Sequence, residues 1–188
     1  MSKKIIILTL LVFLLSSCFW WDSTDAPEES TWLTLNETQD FGFFVPASWE
    51  VLKDNSSLVP TPQNWRIALA VTSKEAKNNI YNNLVVLKEE IKQKISSSDY
   101  SILNNSGSKW EYLNYKELEK KDIKFDGWAN SKLYIFKARY NEKTPTLNFL
   151  QTWVICWNDK WFFLTIALNP EIKSFKKYEN ILKTFKCK

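Results

Sequence analysis

Histidine is absent from this chain of 188 residues, and glycine occurs only three times. Without imidazole, proton transfer near neutral pH would have to rest on carboxylates, lysine or tyrosine. Histidine-ligated metals are excluded too, and no CxxC pair offers a thiolate site instead. The glycine shortage removes the loops that cradle phosphates. There is no Walker loop, no Rossmann glycine set and no GxSxG elbow, so no cofactor or metal is expected. Carboxylate neighbours remain, Glu89 with Glu90 and Glu117 with Glu119, and they read as solvated strand faces rather than acid–base pairs. Cys156 lacks a base to activate it as a nucleophile. Long apolar runs are missing as well. Ile5 to Leu15 covers 11 residues, too few to span a bilayer permanently.

What stands at the N-terminus is a leader. MSKK supplies positive charge, the apolar run follows, and Ser16-Ser17 precede Cys18. That is the pattern of a secretory signal peptide. Leu15-Ser16-Ser17-Cys18 resembles the lipobox of bacterial lipoproteins. The resemblance implies that residues 1–17 are removed and that Cys18 is acylated as the first residue of the mature chain. Two or three acyl chains, at about 0.8 kcal/mol per buried CH₂, hold a protein far more firmly than one. Cys18 is then a lipid attachment site, and the protein is extracytoplasmic, fixed to a bacterial membrane.

Removing 1–17 leaves 171 residues, enough for one domain with a real core. Loss of Lys3 and Lys4 leaves 23 bases against 21 acids, so the charge falls from +4 to +2. That balance does not suit a nucleic-acid partner. Residues 19–31, FWWDSTDAPEEST, carry four acids and no base and read as a flexible tether with an r.m.s. reach of roughly 20 Å. The domain proper is 32–188. Its two cysteines, Cys156 and Cys187, would more often be paired than free outside the cytoplasm. A bridge closing so long a loop contributes about 3–4 kcal/mol. One buried and one frayed thiol is the alternative.

Along the domain, Trp32–Leu35, Phe41–Val45 and Trp49–Leu52 read as short strands. Arg66–Thr72 alternates as a strand, and Thr72-Ser-Lys-Glu75 has capping-box spacing that predicts a helical turn. Asn83–Ile91 is a further strand. Ser96-Ser-Ser-Asp99 starts a helix whose Tyr100 and Leu103 are expected to face inward. Leu118–Phe125, Lys132–Tyr140, Leu147–Cys156 and Lys160–Leu168 follow as an antiparallel series. Asn169-Pro170 predicts the start of a closing helix with Ile172, Phe175, Tyr178, Leu182 and Phe185 on its apolar stripe. Its lysines, Lys173, Lys176, Lys177, Lys183 and Lys186, form either a solvated face or a surface attracted to anionic lipid or wall polymer.

This order predicts an α+β fold, an antiparallel β-sheet flanked by helices. FGFFVPASWEV resembles the opening of the PsbP-like family, shared by an extrinsic photosystem II subunit and small bacterial lipoproteins. NNLVVLKEEI, KLYIFKARY, WFFLTIAL and YENILKTFK follow in that family's order. The resemblance implies an αβα sandwich and a binding or assembly role, with no shared catalytic residues. The expected function is therefore non-catalytic: a membrane-anchored domain that binds an envelope protein. The alternative is a small-ligand or glycan-binding lipoprotein, with its pocket between sheet and helix near Tyr100.

Ten tryptophans stand against three glycines, where average usage would give about 13 glycines. Trp20 and Trp21 follow the lipobox cysteine, and Trp128 and Trp157 fall in turn sequence. Some bacterial lineages read the codon UGA as glycine, and these four positions suit glycine better. Two other readings keep them as tryptophan: Trp20 and Trp21 as an aromatic anchor at the headgroups, or exposed rings that stack on sugars or peptides. Trp49, which the family resemblance places in the core, is expected to be a true tryptophan.

Overall fold

After Trp32, alternating apolar and polar side chains dominate the chain, and in the computed structural model they pair into antiparallel sheets. The structure describes residues 32–52, 66–90, 94–126, 129–156 and 160–188. The leader, Cys18, the tether and Trp20, Trp21, Trp128 and Trp157 lie outside the described residues. Three strands open the order, β1 (Leu33–Glu37), β2 (Phe41–Pro46) and β3 (Trp49–Val51), and β4 (Arg66–Ser73) and β5 (Asn83–Glu90) come next. Helix α1 (Ser97–Glu111) precedes the run β6 (Leu113–Lys124), β7 (Asn130–Arg139), β8 (Leu147–Cys156) and β9 (Lys160–Leu168). Helix α2 (Lys176–Lys183) and a two-residue strand β10 (Lys186–Cys187) close the fold.

The large sheet has the order β3-β4-β5-β9-β8-β7-β6, and β1-β2-β10 form a second sheet. Every pairing is antiparallel. The mixed α+β class expected from the sequence holds. Central strands β8 and β9 are buried at nearly every position, as both their faces are covered. Edge strand β6 is mostly exposed, lysine-rich and broken by two register shifts, devices that blunt an edge against further pairing.

Strand alternation divides the core in two. Phe162, Leu164 and Ile166 of β9 join Phe41, Phe43 and Val45 of β2 and Ile181, Leu182 and Phe185 at the chain end. Within this cluster, Phe185 stacks on Phe41 at 4.9 Å and lies 5.3 Å from Phe162. On the other face Trp161 joins Tyr134, Phe136, Phe149 and Trp153, with Tyr100 of α1. Two ionic clamps fix the outer elements. Asp40 takes Lys88 at 2.7 Å and also Lys160, tying the β1–β2 turn to the large sheet. Glu179, almost fully buried on α2, binds Lys121 of β6.

Several local expectations are corrected. No helix follows Thr72–Glu75. Asn78 and Asn79 take positive φ angles of 54° and 59°, and Lys77 bridges Ile80, so the segment is a tight turn between strands. Asparagine tolerates that left-handed region, and Ser73 Oγ accepts the Asn82 amide instead of capping a helix. Helix α1 does begin as expected, with Ser96 Oγ accepting the Asp99 amide at 3.0 Å. Leu103, however, points outward at 63% exposure. The helix rests on the sheet through small polar groups instead: Ser101 Oγ donates to Lys132 O, and Ser97 Oγ accepts the Ile155 amide. Asn169-Pro170 starts only a turn, with the Ile172 amide bonded to Asn169 O, and α2 begins at Lys176. The expected stripe still packs inward.

Candidate functional site

The acids singled out from the sequence do not form pairs. Successive strand residues point to opposite faces, so Glu89 and Glu90 part company. Glu89 accepts a 2.8 Å hydrogen bond from the Tyr100 hydroxyl, while Glu90 pairs with Arg66 at 3.0 Å. Glu117 is held by Lys109 and Glu119 by Lys121. Among the described residues no group of three or more Cys, Asp or Glu is placed to hold a metal ion.

Tyr100 does reach the interface of sheet and helix, but it fills that space. Its ring meets Trp161 edge-on at 3.8 Å and the residue is 8% exposed. Burial, reinforced by the bond to Glu89, raises the phenol pKa above its ordinary value. The nearby hollow of about 550 Å³ lies instead at the start of α1, between Ser96–Ser98, Asn130 and Ile155. A second hollow, about 340 Å³, was not foreseen. It sits on β3–β4–β5, where Leu52, Ala70 and Val85 make an apolar floor and Glu50, Lys74 and Asn83 the polar rim. Among the described residues, Asn83 Oδ1 there is buried with no hydrogen-bond partner. These residues come from three strands far apart in sequence, so no local motif announces the hollow.

Cys156 and Cys187 are joined, with a Cα separation of 5.6 Å. The bond fastens β10 to the end of β8. The described tryptophans fall into three groups. Trp153 and Trp161 are fully buried, while Trp32 and Trp49 pack partly buried against the core. Trp110 on α1 is 91% exposed. No helix among the described residues is long and apolar enough to cross a membrane.

Lys176, Lys177 and Lys183 ride on α2 and Lys186 on β10. Lys177 Nζ stands 4.1 Å above the Trp32 ring. Beside them the cross-strand pair Leu35–Phe44 is 46% and 39% exposed.

Scanned against protein-family models and against curated proteins, the sequence matches none. Solved structures do resemble it. PA94 of Pseudomonas aeruginosa, a protein of unknown function, aligns with a TM-score of 0.50 at 13% identity, over 81% of this chain and 94% of its own. A Bacteroides thetaiotaomicron VPI-5482 structure aligns at a TM-score of 0.46 and 11% identity, over 79% of this chain, which spans only 45% of that protein. At such identity the first likeness speaks for the fold alone: a mixed, mostly stranded domain of antiparallel sheets.

Proposed function

We propose that this chain is a lipid-anchored extracytoplasmic protein whose domain binds an envelope partner without catalysis. Cys18 carries the acyl chains, residues 19–31 form the tether, and 32–188 form a PsbP-like domain. The arrangement supports an αβα reading, since α1 contributes to one core cluster and α2 to the other. The observation that carries the proposal is the bond between Cys156 and Cys187. Such bonds persist in oxidising compartments and are reduced in the cytosol of most bacteria, which agrees with export by the leader. A binding role, not a hydrolytic one, is supported by the acids, each occupied by a hydrogen bond or ion pair at the sheet.

The test is metabolic labelling with a clickable palmitate, comparing the natural chain with Cys18→Ala. Label on the natural chain and none on the variant is expected. An unlabelled natural chain refutes the anchor. Crosslinking in intact cells followed by mass spectrometry should enrich one envelope protein.

A second reading, small-ligand or glycan binding, is supported by the hollow on β3–β4–β5. Thermal-shift titration against a set of sugars and small amphiphiles tests it, with Asn83→Ala as the variant expected to lose the shift.

A further inference from the structure

We infer that the outer surface formed by β1, β2 and α2 docks on anionic lipid headgroups of the membrane that holds the anchor. This inference rests on the lipid-anchor reading above. Strand β2 pairs with β1 on one side and β10 on the other. Thr184 Oγ, at the end of α2, accepts the Phe44 amide at 3.1 Å, so the helix lies along the same flank of β2 as β10. These elements form one layer over the core cluster containing Phe41, Phe43 and Phe185. Its inner face is filled. On its outer face Leu35 and Phe44 stay exposed.

The chemistry of that outer face is amphipathic. Leu35 and Phe44 form an exposed apolar pair at its centre. A Cβ built on Gly42 would meet Leu35 Cδ1 and Glu37 Oε1 at 3.7 Å, which puts both side chains on this side of the sheet. Lys186 lies opposite Gly42 in the β2–β10 pairing and Lys177 stands over the Trp32 ring, while Lys176 and Lys183 share one stripe of α2 at a spacing of seven. None of the four forms an ion pair among the described residues. The acid of α2, Glu179, is turned inward to Lys121, and Glu37 is neutralised by Lys188. Asp126, whose amide bonds Lys183 O, lies close to the end of α2. A basic rim around a small apolar centre suits a headgroup layer over hydrocarbon. Two exposed apolar side chains are too few for the core of a standard protein interface, which takes about 800 Å² per partner.

Chain connectivity points the same way. Trp32, where the tether ends, sits on this layer with its ring under Lys177. Thirteen residues, 19–31, separate Cys18 from Trp32, so an anchor at Cys18 would give the layer an effective concentration of about millimolar at the lipid surface. Weak attraction per lysine then suffices, about five-fold in binding for each.

The experiment uses the full acylated chain, reconstituted into phosphatidylcholine vesicles with or without phosphatidylglycerol. Lysine acetylation is read residue by residue by mass spectrometry. Labelling of Lys176, Lys177, Lys183 and Lys186 is expected to fall about five-fold on the anionic vesicles. Lys116 on β6 and Lys109 on α1 should keep their labelling, and 0.5 M salt, taken as a high-screening condition of roughly 4 Å Debye length, should abolish the difference. Flotation separates the two ideas. A chain that floats with the vesicles but labels equally on both overturns the docking surface and leaves the anchor standing. A chain that fails to float overturns both. If inorganic polyphosphate without vesicles shields these lysines as fully as anionic lipid does, the face belongs to a soluble polyanion and lipid is the wrong occupant.

Discussion

Asp40 holds Lys88 at 2.7 Å across the boundary between the small sheet and the large one, and its second oxygen takes Lys160. The side chain is 20% exposed, and its hydrogen bonds from Lys160 and then Lys88 outweigh burial and lower its pKa. A carboxyl depressed in the fold adds stability above its unfolded value, about 4, and that stability is lost as pH falls toward the folded one. Asp40→Asn should therefore cost about 1–2 kcal/mol at pH 7, allowing for solvent screening of the more exposed Lys160. Urea unfolding at pH 7 and pH 3 checks this. The gap between the two proteins should narrow at the acid end, and an equal gap at both pH values contradicts the clamp.

The bond between Cys156 and Cys187 ties together residues 31 apart in sequence. Reduction, or Cys187→Ser, should remove about 3–4 kcal/mol and lower the melting temperature by roughly 10 °C. Calorimetry with and without dithiothreitol measures it. The variant should no longer respond to the reductant.

Tyr100 and Leu103 sit three residues apart on α1 with opposite fates. Tyr100→Ala should destabilise by about 3–5 kcal/mol, since it empties the space against Trp161 and strips Glu89 of its donor. Leu103→Ser should change stability by less than about 0.5 kcal/mol. Chemical denaturation of the two variants separates the observed orientation from the one the apolar spacing predicted.

Trp153 and Trp161 are buried among aromatic rings, Trp153 stacked on Phe163 at 4.7 Å. Glycine at either position would leave a large cavity costing several kcal/mol. Peptides from the native source should therefore carry tryptophan at both. The same mass spectrometry reads positions 20, 21, 128 and 157, where glycine would establish the reassigned codon and tryptophan would dismiss it.

Local pattern was a good guide wherever one strand or one cap decides the outcome. The alternation in Arg66–Thr72 reports a pleated backbone with two differing faces, and the three strands from Lys132 to Leu168, separated by turn sequence, pair in the expected antiparallel order. Ser96 capping Asp99 is likewise an interaction three residues long. The failures lie where a local signal met a stronger competitor. The capping-box spacing at Thr72–Glu75 lost to two asparagines that accept positive φ, and Asn169-Pro170 made only a turn before α2.

By itself the sequence determined the strand-rich class, the helix start at Ser96, the inward stripe of the chain end and the availability of two cysteines within the domain. Tertiary structure alone decided that α1 meets the sheet through serines, that Asp40 spans the two sheets, and that Thr184 at the end of α2 takes the Phe44 amide of β2. Those outcomes depend on contacts between residues from about 30 to more than 100 positions apart. Periodicity reports which face of an element is apolar, but only packing chooses what lies against it.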